Sequence, residues 1–399
     1  MKIRINILVV FLILLISLAG SAANSAEPQN NHFHSYLRKG IDKAFNLETA
    51  AAGEFIMKAM ELDPENPAGF AYLAMLNLCF YEMSLDQNDR NVRQEALLHY
   101  AREAIAKGEK RIKNNPHDGQ AYFAMSLAKI AKVQWAIHQK RYFVIAQETS
   151  DIWDYLEKAK QENPQNPDTY FLMGLLHYHL SHLPGFIRFL SSAFIVAGNN
   201  KKGIQELELA AQKGDLLKEL AQAELASAYI NIEKQPAKAL PLAMELNKRF
   251  PDNYNFSFVL GNVLADLHRF DEALYIAREI EKNIQTQTHL FVPQLQPRYN
   301  QLMGRIYFNK GEYESSMEYF HNVLKDTSFY NARSRVWALV RMGMIHDLHK
   351  ERKLAEEYYS KALEEEGGEG TAQIEAKKYL KNPYTPATNQ TSNLHDPIK

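Results

Sequence analysis

Four glycines set a register along this chain. Gly343 is followed 12, 16 and 19 residues later by Ala355, Tyr359 and Ala362. The same offsets lead from Gly304 to Ser316, Phe320 and Val323, and from Gly261 to Ala273, Ala277 and Ile280. From Gly40 they reach Ala52, Ile56 and Ala59, and Pro64 closes the unit. Small residues at fixed distances are what two antiparallel helices need where they cross, because their axes lie only about 8–10 Å apart. The large residue one turn later is expected to fill the gap between one hairpin and the next. A chain of 399 residues exceeds one ordinary globular core. It has no Pro/Gly/Ser-rich linker between domains, and a stack of short repeats resolves that tension.

Turn signals fall where such hairpins should end. They are Asp63-Pro64-Glu65-Asn66-Pro67, Asn114-Asn115-Pro116, Asn163-Pro164-Gln165-Asn166-Pro167-Asp168 and Phe250-Pro251-Asp252-Asn253. Proline cannot continue a helix and Asn or Asp caps the next, so each cluster stops one helix and starts another. An aromatic follows three of these prolines at six residues: Phe70, Tyr122 and Tyr170. On these residues the chain resembles the tetratricopeptide-repeat family over roughly 33–366. The resemblance implies an all-α solenoid of about eight antiparallel helix hairpins.

The pattern divides the chain into five stretches. Residues 1–26 read as a signal peptide and 27–182 as N-terminal hairpins with long helices, the second helix of the second hairpin running from Asn91 to Lys113. Residues 183–215 read as an irregular apolar insertion after Leu183-Pro184-Gly185, 216–381 as C-terminal hairpins, and 382–399 as a disordered, Pro-dotted tail.

The signal reading rests on Lys2 and Arg4 before an unbroken apolar run from Ile7 to Ile16, then small residues up to Ala23. The run is short of the roughly 20 residues that span a bilayer. Cleavage after Ala23 or Ala26 fits best, with an uncleaved anchor as the alternative. The expectation is an exported protein, periplasmic or secreted. Leu18-Ala19-Gly20-Ser21 lacks the cysteine that lipidation would need. Removing residues 1–26 takes Lys2 and Arg4, so 46 basic residues become 44 against 47 acidic ones, a balance with no field to attract nucleic acid or anionic lipid. The lone Cys79 allows no internal disulfide and reads as a small buried hydrophobe.

The motifs of catalysis are missing. There is no Gly-rich loop ending in Gly-Lys-Ser/Thr, no His-Glu-x-x-His, no Gly-x-Ser-x-Gly and no Cys-x-x-Cys. Neither an enzyme nor a cofactor is expected. His177, His179 and His182 form a histidine cluster, but at 100° per residue only His179 and His182 share a helix face. A pair of groove histidines therefore outweighs a metal site. Phe186–Ala197 is apolar nearly all round, which suits a buried or groove-filling helix. Membrane contact through it or through the signal region is the alternative.

Family geometry implies that the first helix of each hairpin lines a concave surface. In the early hairpins this selects apolar residues such as Leu37, Ile41, Met75, Leu78, Phe123 and Leu127. In the late ones it selects Asn255, Phe258, Asn262, Asp266, Arg298, Gln301, Arg305, Phe308, Asn309, Trp337 and Asp347. The family's carboxylate-clamp pattern needs a lysine one turn before an asparagine, whereas Phe258 precedes Asn262, so that mode is not expected. The reading is an exported scaffold or adaptor that binds a protein or peptide in the cell envelope through Phe258, Asn262, Arg298, Gln301, Arg305 and Trp337. The alternative is a carrier or transport-accessory protein holding an apolar, lipid-like ligand on the early half.

Overall fold

The computed structural model describes residues 26–139, 141–182, 198–288, 290–365 and 370–386. Among them lie seventeen α-helices and no strand. Eight antiparallel hairpins and one closing helix make an all-α solenoid. The signal segment and Phe186–Ala197 lie outside the described residues. No described helix is long and apolar enough to cross a membrane.

The helices are α1 (Ala26–Phe45), α2 (Thr49–Leu62), α3 (Pro67–Met83), α4 (Gln87–Asn114), α5 (Gly119–His138), α6 (Tyr142–Glu162), α7 (Asp168–Ser181) and α8 (Asn200–Lys213). They continue as α9 (Lys218–Asn231), α10 (Pro236–Arg249), α11 (Tyr254–Asp266), α12 (Phe270–Thr286), α13 (Gln296–Lys310), α14 (Tyr313–Leu324), α15 (Ala332–Leu348), α16 (Arg352–Glu364) and α17 (Thr371–Lys381). The chain forms two compact units, residues 1–225 and 226–399, with the division inside α9. It does not fall at the segment expected to be irregular. Residues 200–213 of that segment form α8, which packs along α7 as an ordinary hairpin partner. The glycines there explain the misreading: a Cβ on Gly174 would lie 3.1 Å from the carbonyl oxygen of Gly203, so this crossing uses a spacing unlike the other four.

Three of the four turn clusters supply a cap, and after the other one, Asn114-Asn115-Pro116, Asp118 does so instead, accepting the Ala121 N–H at 2.9 Å. Asn66 Oδ1 accepts the Ala68 N–H at 3.1 Å, Asn166 that of Asp168 at 3.1 Å, and Asn253 that of Asn255 at 3.0 Å. Each satisfies one of the orphan donors at a helix start.

The crossing register also holds. A Cβ on Gly343 would lie 2.5 Å from the ring of Tyr359, one on Gly304 2.4 Å from the ring of Phe320, and one on Gly40 2.6 Å from Ile56. The residue sixteen on therefore packs onto the glycine of its own hairpin, not only into the gap before the next. Phe320 does both, since its buried cluster includes Ala338, Met342 and Ile345 of α15. Gly261 differs because its residue sixteen on is Ala277; Leu302 of the following hairpin fills the space.

Seven residues after each of these glycines the backbone enters the left-handed region: Leu47, His268, Gly311 and Lys350. Lys234 does the same seven residues after Ser227, extending the register to the α9–α10 hairpin, where Ala239, Ala243 and Leu246 are buried. One left-handed residue reverses the chain within a short turn, and only Gly311 is of the type that adopts it without steric cost.

In unit 1 the greasy concave residues are not open. Leu37, Met75, Leu78, Phe123 and Leu127 are all buried. The chain turns back on itself, so that Arg38 of α1 donates to the Asp215 carbonyl at 2.9 Å and to Glu219 of α9 at 3.0 Å, 181 residues on. Asp168 of α7 holds the same turn by accepting the Asp215 and Leu216 N–H groups at 2.8 and 2.9 Å. Apolar surface of that extent is costly to leave in water, and folding the early hairpins around it removes the cost. The apolar side chains on which the carrier reading rests are thus not exposed.

Candidate functional site

Within unit 2, the first helices α11, α13 and α15 bring together the polar residues that the repeat register placed on the concave side. Arg305 of α13 reaches back to Asp266 of α11, its Nε donating to Oδ1 at 2.7 Å and its Nη2 to Oδ2. Asn309 donates to the Ala265 carbonyl at 3.0 Å and to Asp266 at 3.1 Å. This bidentate pair ties adjacent hairpins and fixes the orientation of both side chains.

Arg298 donates to Asn255 Oδ1 at 2.6 Å and lies over the Phe258 ring at 4.4 Å. Burial pushes its guanidinium down to about 10, and Arg333 adds repulsion. Phe258 is fully buried and has no surface to offer a partner, so its expected role as a binding anchor is corrected: it is the floor under Arg298. Gln301 is 7% exposed and lies among the buried residues of α13. Trp337 of α15 is half-buried, with Arg341 at 4.9 Å and Lys234 at 5.8 Å from its ring centroid. Asn262 is half-buried, and its Oδ1 is buried without a hydrogen-bond partner.

Arg341 escaped the sequence reading because the groove register selects Trp337 and Asp347 on α15 and passes over it. It is 7% exposed and its Nη1 has no acceptor. Burial and the neighbouring Arg305 cation push it down to about 9, partly offset by Asp266 and Glu375. It remains charged at neutral pH. A signal was present: Arg341 is the only charge between Trp337 and Ile345 in an otherwise buried stretch of helix, one turn beyond the tryptophan.

The C-terminal end of the described chain lies against the last hairpin. Asp347 of α15, selected as groove-facing, is 1% exposed at its side chain. It accepts from Arg352 at 3.0 Å, from the Tyr359 hydroxyl at 2.9 Å, and from the backbone N–H of Tyr384 at 2.7 Å. The Tyr384 ring packs 6.1 Å from Phe308 and 5.3 Å from Tyr379. The expected disordered tail thus begins later than 382; Asn382 is extended and Tyr384 is docked on the last hairpin, and 387–399 lie outside the described residues.

The histidines diverge. His177 is buried with Nδ1 at 2.6 Å from Glu206, His179 meets Glu224 at 2.8 Å, and His182 Nδ1 faces the Tyr178 carbonyl at 2.8 Å. Their ligating nitrogens have separate partners, and no metal-holding group of three is found among the described residues. Burial pushes the Cys79 thiol up to about 12, the opposite of a reactive thiolate.

Residues 297–325, the α13–α14 hairpin, match the family model described as Tetratricopeptide repeat. The chain is a helix-hairpin solenoid in which that one hairpin is similar to the family, and the hairpins beside it reuse its crossing geometry. Similar solved structures include a human IFIT1 dimer with m7Gppp-AAAA, 14% identical, covering 88% of this chain and 86% of that one, with a TM-score of 0.44. The P58(IPK) TPR domain is 15% identical, covering 88% and 98%, with a TM-score of 0.21. No curated protein matches the chain. A fold of tetratricopeptide type is typically a non-enzymatic protein-interaction scaffold.

Proposed function

We propose that this protein is an exported scaffold of the cell envelope that binds an extended peptide segment of a partner protein on the concave side of unit 2. The observation that carries the reading is the docked stretch 382–386. A non-helical piece of chain already lies there, with the Tyr384 backbone N–H captured by the Asp347 carboxylate and its ring set among Phe308 and Tyr379. Backbone capture plus aromatic contact is how extended peptides are held in grooves. The export part rests on Lys2, Arg4, the apolar run Ile7–Ile16 and the small residues after it.

The peptide part is tested with a chain ending at Lys381 and a synthetic peptide of residues 382–391. Saturable binding that is lost on Asp347→Asn supports it; a peptide that does not bind, or binds equally well to the variant, sinks it. Mass measurement of the protein from its native host checks the signal reading: loss of the segment up to Ala23 or Ala26 supports release from the membrane, and an intact chain contradicts it.

A further inference from the structure

Resting on that reading, we infer that Arg341 is the recognition point for a single carboxylate, carried by an acidic side chain within the bound peptide. Four other charges belong to its group. Lys234 pairs with Glu375 and Arg305 with Asp266, which leaves Arg341 as the surplus cation of the group. Its Nη1 is a buried donor with nothing to donate to, on a residue 7% exposed. A buried polar atom left unpaired costs on the order of 1–3 kcal/mol, and more when charged. A ligand's acceptor placed against such a donor would remove that cost. The Trp337 ring holds the guanidinium at 4.9 Å from one side and so fixes the direction of its free donors.

The ligand's chemistry follows from the count. One surplus positive charge balances one carboxylate. A phosphate ester, with a charge of about −1.5 to −2 at neutral pH, would carry the excess against Asp266 and Glu375. An acidic residue at a chain terminus would bring two carboxylates to the same place. Asn262 stands one turn before Asp266 on α11. Its Oδ1 is a buried acceptor without a donor, suited to a backbone N–H of the same segment. This differs from the family's carboxylate clamp, whose lysine position is Phe258 here.

The test is selection of random twelve-residue peptides displayed on phage against the full chain. Peptides enriched in Asp or Glu are expected. Their affinity should fall roughly 10- to 100-fold when that residue is amidated to Asn or Gln, or in Arg341→Gln, as loss of a charge-assisted hydrogen bond implies. Arg341→Lys, which keeps the charge without the planar fork, should retain part of the affinity. Peptides that compete with the 382–391 segment but show no acidic preference, or bind Arg341→Gln unchanged, overturn the carboxylate site and leave the peptide groove standing. Selection that yields no binder competing with that segment overturns both. Melting of the unliganded Arg341→Met variant is a second readout. It should be no lower than that of the natural protein, because the change removes a desolvated, unpaired charge; a clear drop marks the arginine as structural and overturns the inference.

Discussion

Lys350 and His268 hold backbone angles that glycine adopts freely, φ of 64° and 57°, at the position Gly311 occupies in the hairpin between them. The left-handed conformation costs a side-chain-bearing residue about 1–2 kcal/mol, part of which glycine gives back as entropy. Lys350→Gly should therefore raise stability by about 0.5–1 kcal/mol, read as a higher denaturation midpoint. An unchanged or lower midpoint would show that the lysine side chain earns its place by contacts. The crossing positions respond in the opposite direction. Gly343 has the Tyr359 ring against it and Ala355 is fully buried, so leucine at either should cost about 1–3 kcal/mol through overpacking. Unaltered melting in both variants would refute the register.

Pairs of helices are held by charges as well as by crossing residues. Lys129 of α5 donates to Glu148 of α6 at 3.1 Å and to Asp151 at 3.2 Å, and Lys132 also donates to Glu148. Burial alone would raise the Glu148 carboxyl, but the two lysines outweigh it and hold it below its ordinary value. A depressed acid contributes stability that is present above its unfolded pKa and is lost as pH falls through the folded one. Glu148→Gln should accordingly destabilise at pH 7. The difference between variant and natural protein should shrink as the solution is acidified below the carboxylate range; a difference independent of pH would mean the pair contributes nothing. In the last hairpin Asp347 joins α15 to α16 and to the chain beyond α17. Asp347→Ala leaves Arg352 without that partner and should cost about 3 kcal/mol, at the low end for a broken ion pair because Arg352 keeps access to water. It should also speed proteolysis after Lys381, and equal cleavage rates would contradict the docking of 382–386.

For the whole molecule, the far-ultraviolet circular dichroism spectrum should be that of a helical protein without strand. The closure of unit 1 carries a functional expectation. Protein purified from its native compartment should hold no lipid in native mass spectrometry, since Leu78, Leu127 and their neighbours are buried within the unit. Stoichiometric lipid would restore the carrier reading. Helix class, the caps at Asn66, Asn166 and Asn253, and the crossings of four hairpins were determined by the sequence alone. They depend on residues within about twenty positions of one another, where helical periodicity and backbone sterics act directly. The α7–α8 hairpin was not legible, because its two glycines meet by a spacing that no other hairpin repeats. The site was half legible. Periodicity placed Asn262, Arg305 and Asp347 on the concave side, but whether a side chain there is free or engaged depends on groups one or more hairpins away. Only the tertiary structure decided that Arg305 is paired with Asp266, 39 residues earlier, that Phe258 is floor rather than anchor, and that Arg341 is left over. Charge pairing and burial act through space, and a linear sequence holds no distance across the turns of a solenoid.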